Sequence, residues 1–129
     1  MDQPPKYMQC SSLKCEGYWN NNYRPVISNV IWKDKKQWLT KALFVEKHTN
    51  KICYRGLSFS RIDGTVVGNC EYYDNYHNIC WPEGYIEHYI KDHNVMPTER
   101  FYHYINNQYN LLILFYYIKV LFNSDVNIY

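Results

Sequence analysis

Residues 81–97 read WPEGYIEHYIKDHNVMP, and this stretch decides the fold. Pro82 suits a first helical position, where its missing N–H is not needed. Glu83 and Glu87 suit the positive end of that helix. Ile86 and Ile90 share one face with Tyr89 beside them, and Pro97 closes the segment. The pattern predicts a helix from Pro82 to about His93-Asn94. A second helix is predicted from PTERFYHYI (97–105), with Phe101, Tyr104 and Ile105 inward. The first helix carries two histidines, His88 and His93, five positions apart. On an ordinary α-helix such positions point about 140° apart. Both reach one ion only if the helix loosens between them.

Working back along the chain, the segments 51–58 (KICYRGLS), 61–69 (RIDGTVVGN), 70–74 (CEYYD) and 77–81 (HNICW) read as strands. Asp63-Gly64 is a turn signal. The last two segments are predicted to pair across a two-residue turn at Asn75-Tyr76. Glu71 then faces Cys80, Tyr72 faces Ile79 and Cys70 faces Trp81. Cys70 and Cys80 fall on opposite faces, which argues against a bond between them. Before the strands, WKDKKQWLTKALFVEKHTN (32–50) places Trp38, Ala42 and Val45 on one side. It predicts an amphipathic helix from Lys33 to His48. Lys33, Lys36, Lys41 and Lys47 line its other side. They are a candidate binding face for phosphate or an acidic partner, although such faces are most often simply solvated.

The chain ends read differently. Residues 1–23 hold Pro4-Pro5, Ser11-Ser12 and Asn20-Asn21-Asn22 and are expected to be an irregular arm. Cys10 and Cys15 sit there at C-x4-C spacing, a weak metal signal. Residues 111–122, LLILFYYIKVLF, are nearly all apolar. They are too short for a membrane span and lack the charged face of an interfacial anchor. A core helix or a dimer-forming surface is the expectation. The division is thus an arm over 1–23, one α+β domain over 24–106 and an apolar extension over 107–129. Within the domain, one amphipathic helix precedes a short antiparallel sheet and two helices follow it.

Composition narrows the class. The chain has 129 residues, 47% of them hydrophobic, which suits one domain with a core of its own. Fifteen tyrosines, with abundant Asn, Ile and Lys, fit an AT-rich genome, viral for instance, better than an aromatic binding surface. Net charge is +2, too little to imply nucleic-acid binding. The first 64 residues carry eleven basic and five acidic side chains, and the remainder three and seven. Five cysteines and an opening without a charged-then-apolar leader pattern favour a reducing cytoplasm and free thiols.

The segments RGLSFSRIDG, GNCEY and WPEGYIEHYIKDHNVMP also resemble a family of small uncharacterised domains, known mainly from bacterial genomes. Its pattern is R-G-x-S-x-C-R-x-C-G, then N-G-x-x-E, then W-P-E-G-x-x-H-Y-x-x-x-H-x-V-x-x-P. Arg55, Gly56, Ser58, Arg61, Gly64, Gly68, Glu71, Trp81, Pro82, Glu83, Gly84, His88, Tyr89, His93, Val95 and Pro97 fall on it. The resemblance covers roughly residues 25–106 and implies a zinc-type site, with two thiolates and two imidazoles. Here Ser60 and Asp63 stand where the pattern has cysteine, so the site is either degenerate or rebuilt.

Three function classes follow. The metal reading takes Asp63, His88 and His93 as ligands to Zn2+, with Cys70 or Cys80 as a fourth. The enzyme reading groups Glu71, Asp63, His88 and Arg61 as a His–carboxylate cluster, but no nucleophile elbow, phosphate loop or H-E-x-x-H accompanies it. Arg61 and Glu71 serve equally well as a salt bridge between strands. The nucleic-acid reading rests on the lysine-rich helix and the tyrosines. The expectation we carry forward is a non-enzymatic interaction module with a degenerate zinc-finger-like site, which holds no cofactor or at most Zn2+. Its partner is another protein, or a second copy through Leu111–Phe122.

Overall fold

The structure, a computed structural model, describes residues 8–10, 13–19 and 24–126. It is an α+β fold. Its strands are β1 (Met8–Cys10), β2 (Leu13–Cys15), β3 (Asn50–Phe59), β4 (Val66–Asp74) and β5 (Ile79–Pro82). Its helices are α1 (Lys35–Lys47), a π-helix (Tyr85–Asp92) and α2 (Glu99–Val126). The sheet order is β1-β2-β5-β4-β3. β2 runs parallel to β5, and the other neighbours are antiparallel. With β2 on one side and β4 on the other, β5 is an inner strand, and Ile79, Cys80 and Trp81 are all buried. A strand covered this way reads as an apolar run rather than an alternation.

The β4–β5 hairpin closes through four residues, not two. Glu71 pairs with Pro82, Tyr72 with Trp81, Tyr73 with Cys80 and Asp74 with Ile79. Asp74 sets the turn by accepting the His77 N–H at 3.1 Å, and Asn78 takes a left-handed backbone at φ 58°. Asn adopts that conformation more readily than most residues. The expected register is therefore off by two. A slip of two preserves side-chain faces, so Cys70 and Cys80 still point to opposite sides.

The expectation of free thiols is corrected. Cys53 and Cys70 are direct partners in the β3–β4 ladder and are joined by a disulfide, and Cys15 is disulfide-bonded as well. Cys80 is a buried free thiol. The Cys53–Cys70 bond closes a loop of sequence separation 17, a size for which cross-linking stabilises by about 3 kcal/mol. Pairing of β3 with β4 across the Asp63-Gly64 turn made the bond, and the turn signal alone did not give that register.

The arm is not irregular throughout. β1 and β2 extend the sheet, and Cys15, Glu16 and Trp19 are buried. Residues 1–7, 11–12 and 20–23, with the Cys10 side chain, lie outside the described residues, and the C-x4-C reading falls there. α2 runs through residue 107 without a break. Among the described residues, no helix is long and apolar enough to cross a membrane.

The core joins both helices to the sheet through rings. Trp38 stacks on Tyr102 with centroids 5.8 Å apart and donates its indole N–H to the Tyr102 carbonyl at 3.1 Å. Trp81 meets Phe101 edge-on at 5.3 Å and donates to Glu46 Oε2 at 2.9 Å. Trp19, Tyr85, Tyr89, Ile86 and Ile90 complete the layer beneath the π-helix.

Candidate functional site

The site forms where the β3–β4 turn meets the π-helix. Ser60 starts the turn. Its N–H bonds the Thr65 carbonyl at 2.7 Å, and its carbonyl accepts the Gly64 N–H at 3.0 Å. Its hydroxyl oxygen accepts the N–H groups of Ile62 and Asp63 at 3.1 and 3.3 Å. Asp63 Oδ1 accepts both the N–H and the hydroxyl of Thr65, at 3.0 and 2.7 Å. These are ordinary turn-making roles for Ser and Asp. The Arg61 N–H donates to the Tyr89 hydroxyl at 2.8 Å, which ties the turn to the helix.

Pro82 does not open that helix. It is the last residue of β5, opposite Glu71. Glu83 does not serve the helix end either. Its Oε1 accepts the backbone N–H groups of Asn69 and Cys70, at 2.9 and 3.3 Å, which holds β4 where its register with β3 shifts. The helix begins after Gly84, whose φ is 92°. A Cβ there would lie 2.8 Å from Val67 Cβ and 3.1 Å from its carbonyl oxygen. Only glycine satisfies both the backbone and the close approach.

Beyond Gly84 the turn is wide. The Tyr89 N–H bonds the Gly84 carbonyl at 3.0 Å, and the His93 N–H bonds the His88 carbonyl at 3.2 Å. Both are i→i+5 bonds, the mark of a π-helix, a form that is frequent at functional sites. Here lies the answer to the 140° problem. In an i→i+5 helix, residues five apart stand above one another. His88 and His93 therefore face the same way, with ring centroids 4.7 Å apart. Lys35 and Asn94, which sequence reasoning missed, secure the helix end. Lys35 is buried, and its Nζ bonds the Lys91 carbonyl at 3.3 Å and Asn94 Oδ1 at 2.8 Å.

Four side chains converge as a result. His88 Nε2 lies 2.8 Å from Ser60 Oγ and 3.5 Å from Asp63 Oδ1. His93 Nε2 lies 3.1 Å from Asp63 Oδ2. One ligand atom each from Asp63, His88 and His93 can be chosen with all three within 4.8 Å of one another. These are the positions where the resembled pattern has two cysteines and two histidines. No family model, curated protein or solved structure matches this chain. The site therefore stands on its geometry.

The electrostatics are lopsided. The Thr65 hydroxyl, then the Thr65 N–H, hold the Asp63 carboxyl well below the usual carboxylate range, with Ser60 and His93 adding to this. Asp63 is thus an anion facing two imidazoles, a donor set able to hold a cation between them. The donor set does not match a closed structural zinc site, which takes four ligands rich in thiolate. Ser60 Oγ is already bonded three times, and one carboxylate with two imidazoles remains.

The other candidates lie elsewhere. Cys70 is in its disulfide. Cys80 Sγ is 3.1 Å from Cys15 Sγ, between β2 and β5. Neither joins the histidines. Glu71 accepts the Tyr18 hydroxyl, and among the described residues no ion pair links it to Arg61. The groove beside His88, about 280 Å3, is lined by Glu46, Glu83, Glu87 and Asp92 and not by Glu71. The His–carboxylate cluster expected for an enzyme is therefore not assembled from those four residues. Lys33, Lys36 and Lys47 are exposed, whereas Lys41 sits 5.7 Å over the Tyr109 ring. Tyr89, Trp81 and Gly64 serve the turn and the core.

Proposed function

We propose that this chain is a small non-enzymatic interaction module that presents the second half of α2 to a protein partner, a second copy being the first candidate. One observation carries the proposal. From Leu114 to Phe122, all the large apolar side chains of the helix are exposed. An isolated helix that is apolar on so much of its surface is normally covered by something. Phe115→Gln with Leu121→Gln tests it, because Gln keeps helix propensity. In dilute monomeric chain the pair should change stability by no more than about 1 kcal/mol, read as a melting temperature. A large loss would mean that this face belongs to the fold and is not presented.

In this reading the Ser60–Asp63–His88–His93 cluster is a degenerate zinc-type site that acts as structure, pinning the turn to the π-helix by hydrogen bonds. Chelator should then leave the melting temperature unchanged, and His93→Ala should cost less than about 1 kcal/mol, as part-exposed pairs do. Elemental analysis with a Zn2+ titration of stripped chain checks this. One tightly held ion per chain, lost on His88→Ala, would instead make Asp63, His88 and His93 a metal centre and reopen the enzyme and nucleic-acid readings. Cytoplasmic placement remains part of the proposal, and it requires the Cys53–Cys70 bond to be open there.

A further inference from the structure

The direction in which α2 is apolar changes along its length. Its packed side carries Phe101, Ile105, Tyr109 and Leu112 against the core. On the opposite side, the first half is polar, with Arg100, His103, Asn107 and Asn110. From residue 111 that same side becomes apolar. Leu111, Leu114, Phe115, Ile118, Leu121 and Phe122 fall in an arc about 120° wide, turned roughly 145° from the packed side. They are 39–70% exposed. No rotation of the helix within its own domain buries this stripe without exposing Phe101 and Ile105.

From this placement, and resting on the reading of α2 as the presented face, we infer that the stripe pairs with the same stripe of a second copy, antiparallel, about a two-fold axis. Leu111, Leu114, Ile118 and Leu121 are spaced three, four and three apart, the interval at which one helix packs along another. At roughly 150–250 Å2 for a large side chain, the stripe and Tyr117 at its rim leave about 800 Å2 uncovered, the share one partner contributes to a standard interface. No charge lies within the stripe, so nothing in it demands an opposite charge on a different partner. An antiparallel pairing sets Leu111 against Leu121 and Leu114 against Ile118, and the symmetry makes each contact twice. It also keeps the two domains at opposite ends. A bilayer fits less well, because the apolar run spans only about 18 Å of helix, ends at Asn123 and carries Lys119 off the stripe.

Sedimentation velocity on the full chain over a broad concentration range tests this. The expected result is twice the 15.7 kDa chain mass. Leu114→Glu with Ile118→Glu should raise the dissociation constant at least about 100-fold, since it buries unpaired charge. Tyr116→Glu, on another side, should leave the mass unchanged, and circular dichroism confirms that each variant is helical. A wild-type chain of single mass at every concentration would overturn the pairing. So would a dimer that survives the double substitution, or a monomer that co-sediments with phosphatidylcholine vesicles through this stripe. None of these outcomes touches the melting test above, so failure of the pairing and failure of the interaction reading can be told apart.

Discussion

Trp81→Ala lowers stability by about 3–5 kcal/mol, the range for emptying a large buried aromatic site. Trp81 is fully buried and touches three layers at once. Its ring stacks near Tyr72 of β4 at 5.8 Å, meets Phe101 and Tyr104 of α2, and its N–H reaches Glu46 of α1. Alanine leaves a cavity among all of them and strips the Glu46 carboxyl of its donor. Chemical denaturation of wild type and variant measures the difference. A near-silent substitution would mean that the helices are not held to the sheet through this ring.

Acidification from pH 8 to pH 5 should raise stability, the reverse of common behaviour. Burial pushes the Glu16 carboxyl up to about 7, against the Thr98 hydroxyl bond, which pulls it down. Burial does the same to Glu46, also to about 7, against the Trp81 indole. The folded chain therefore binds these two protons more tightly than the unfolded chain does. Their contribution is complete below about pH 4.5 and is lost as pH rises through 7, on the order of 3 kcal/mol for each carboxyl. Asp63 and Asp74 have lowered values, so their contribution runs the other way and is lost only as pH falls below the ordinary aspartate range. Melting temperature against pH should peak near 5. Glu16→Gln with Glu46→Gln should flatten the limb between 5 and 8, and a limb that keeps its slope would assign it to other groups.

What was legible in the sequence follows from periodicity. The side-chain spacing around Trp38 placed α1 to within two residues at its start and one at its end. Strand-forming segments on either side of the turn placed most of β4 and β5, and the opposite faces of Cys70 and Cys80 survived a wrong turn length because parity is robust to a slip of two. Three features were not legible. The arm's strands are three residues each, too short to show any period, and the strand that β2 joins, β5, lies more than sixty positions away. The Cys53–Cys70 bond depends on a ladder whose irregularities between Cys53 and Phe59 no local pattern shows. The π-helix carries the same Ile86–Ile90 face as an ordinary helix, so apolar spacing cannot distinguish them. The candidate site was half legible. The sequence offers Asp63, His88 and His93 as ligands, but nothing local shows that the Ser60 hydroxyl joins their network.

That wide turn makes the site a matter of winding rather than composition. Wound as an ordinary α-helix with the same number of residues, the segment would keep all four side chains in the chain. His93 would then swing about a quarter-turn around the axis and leave Asp63 facing one imidazole. The winding of the backbone, and not the letters alone, is here what sets the distance between two rings.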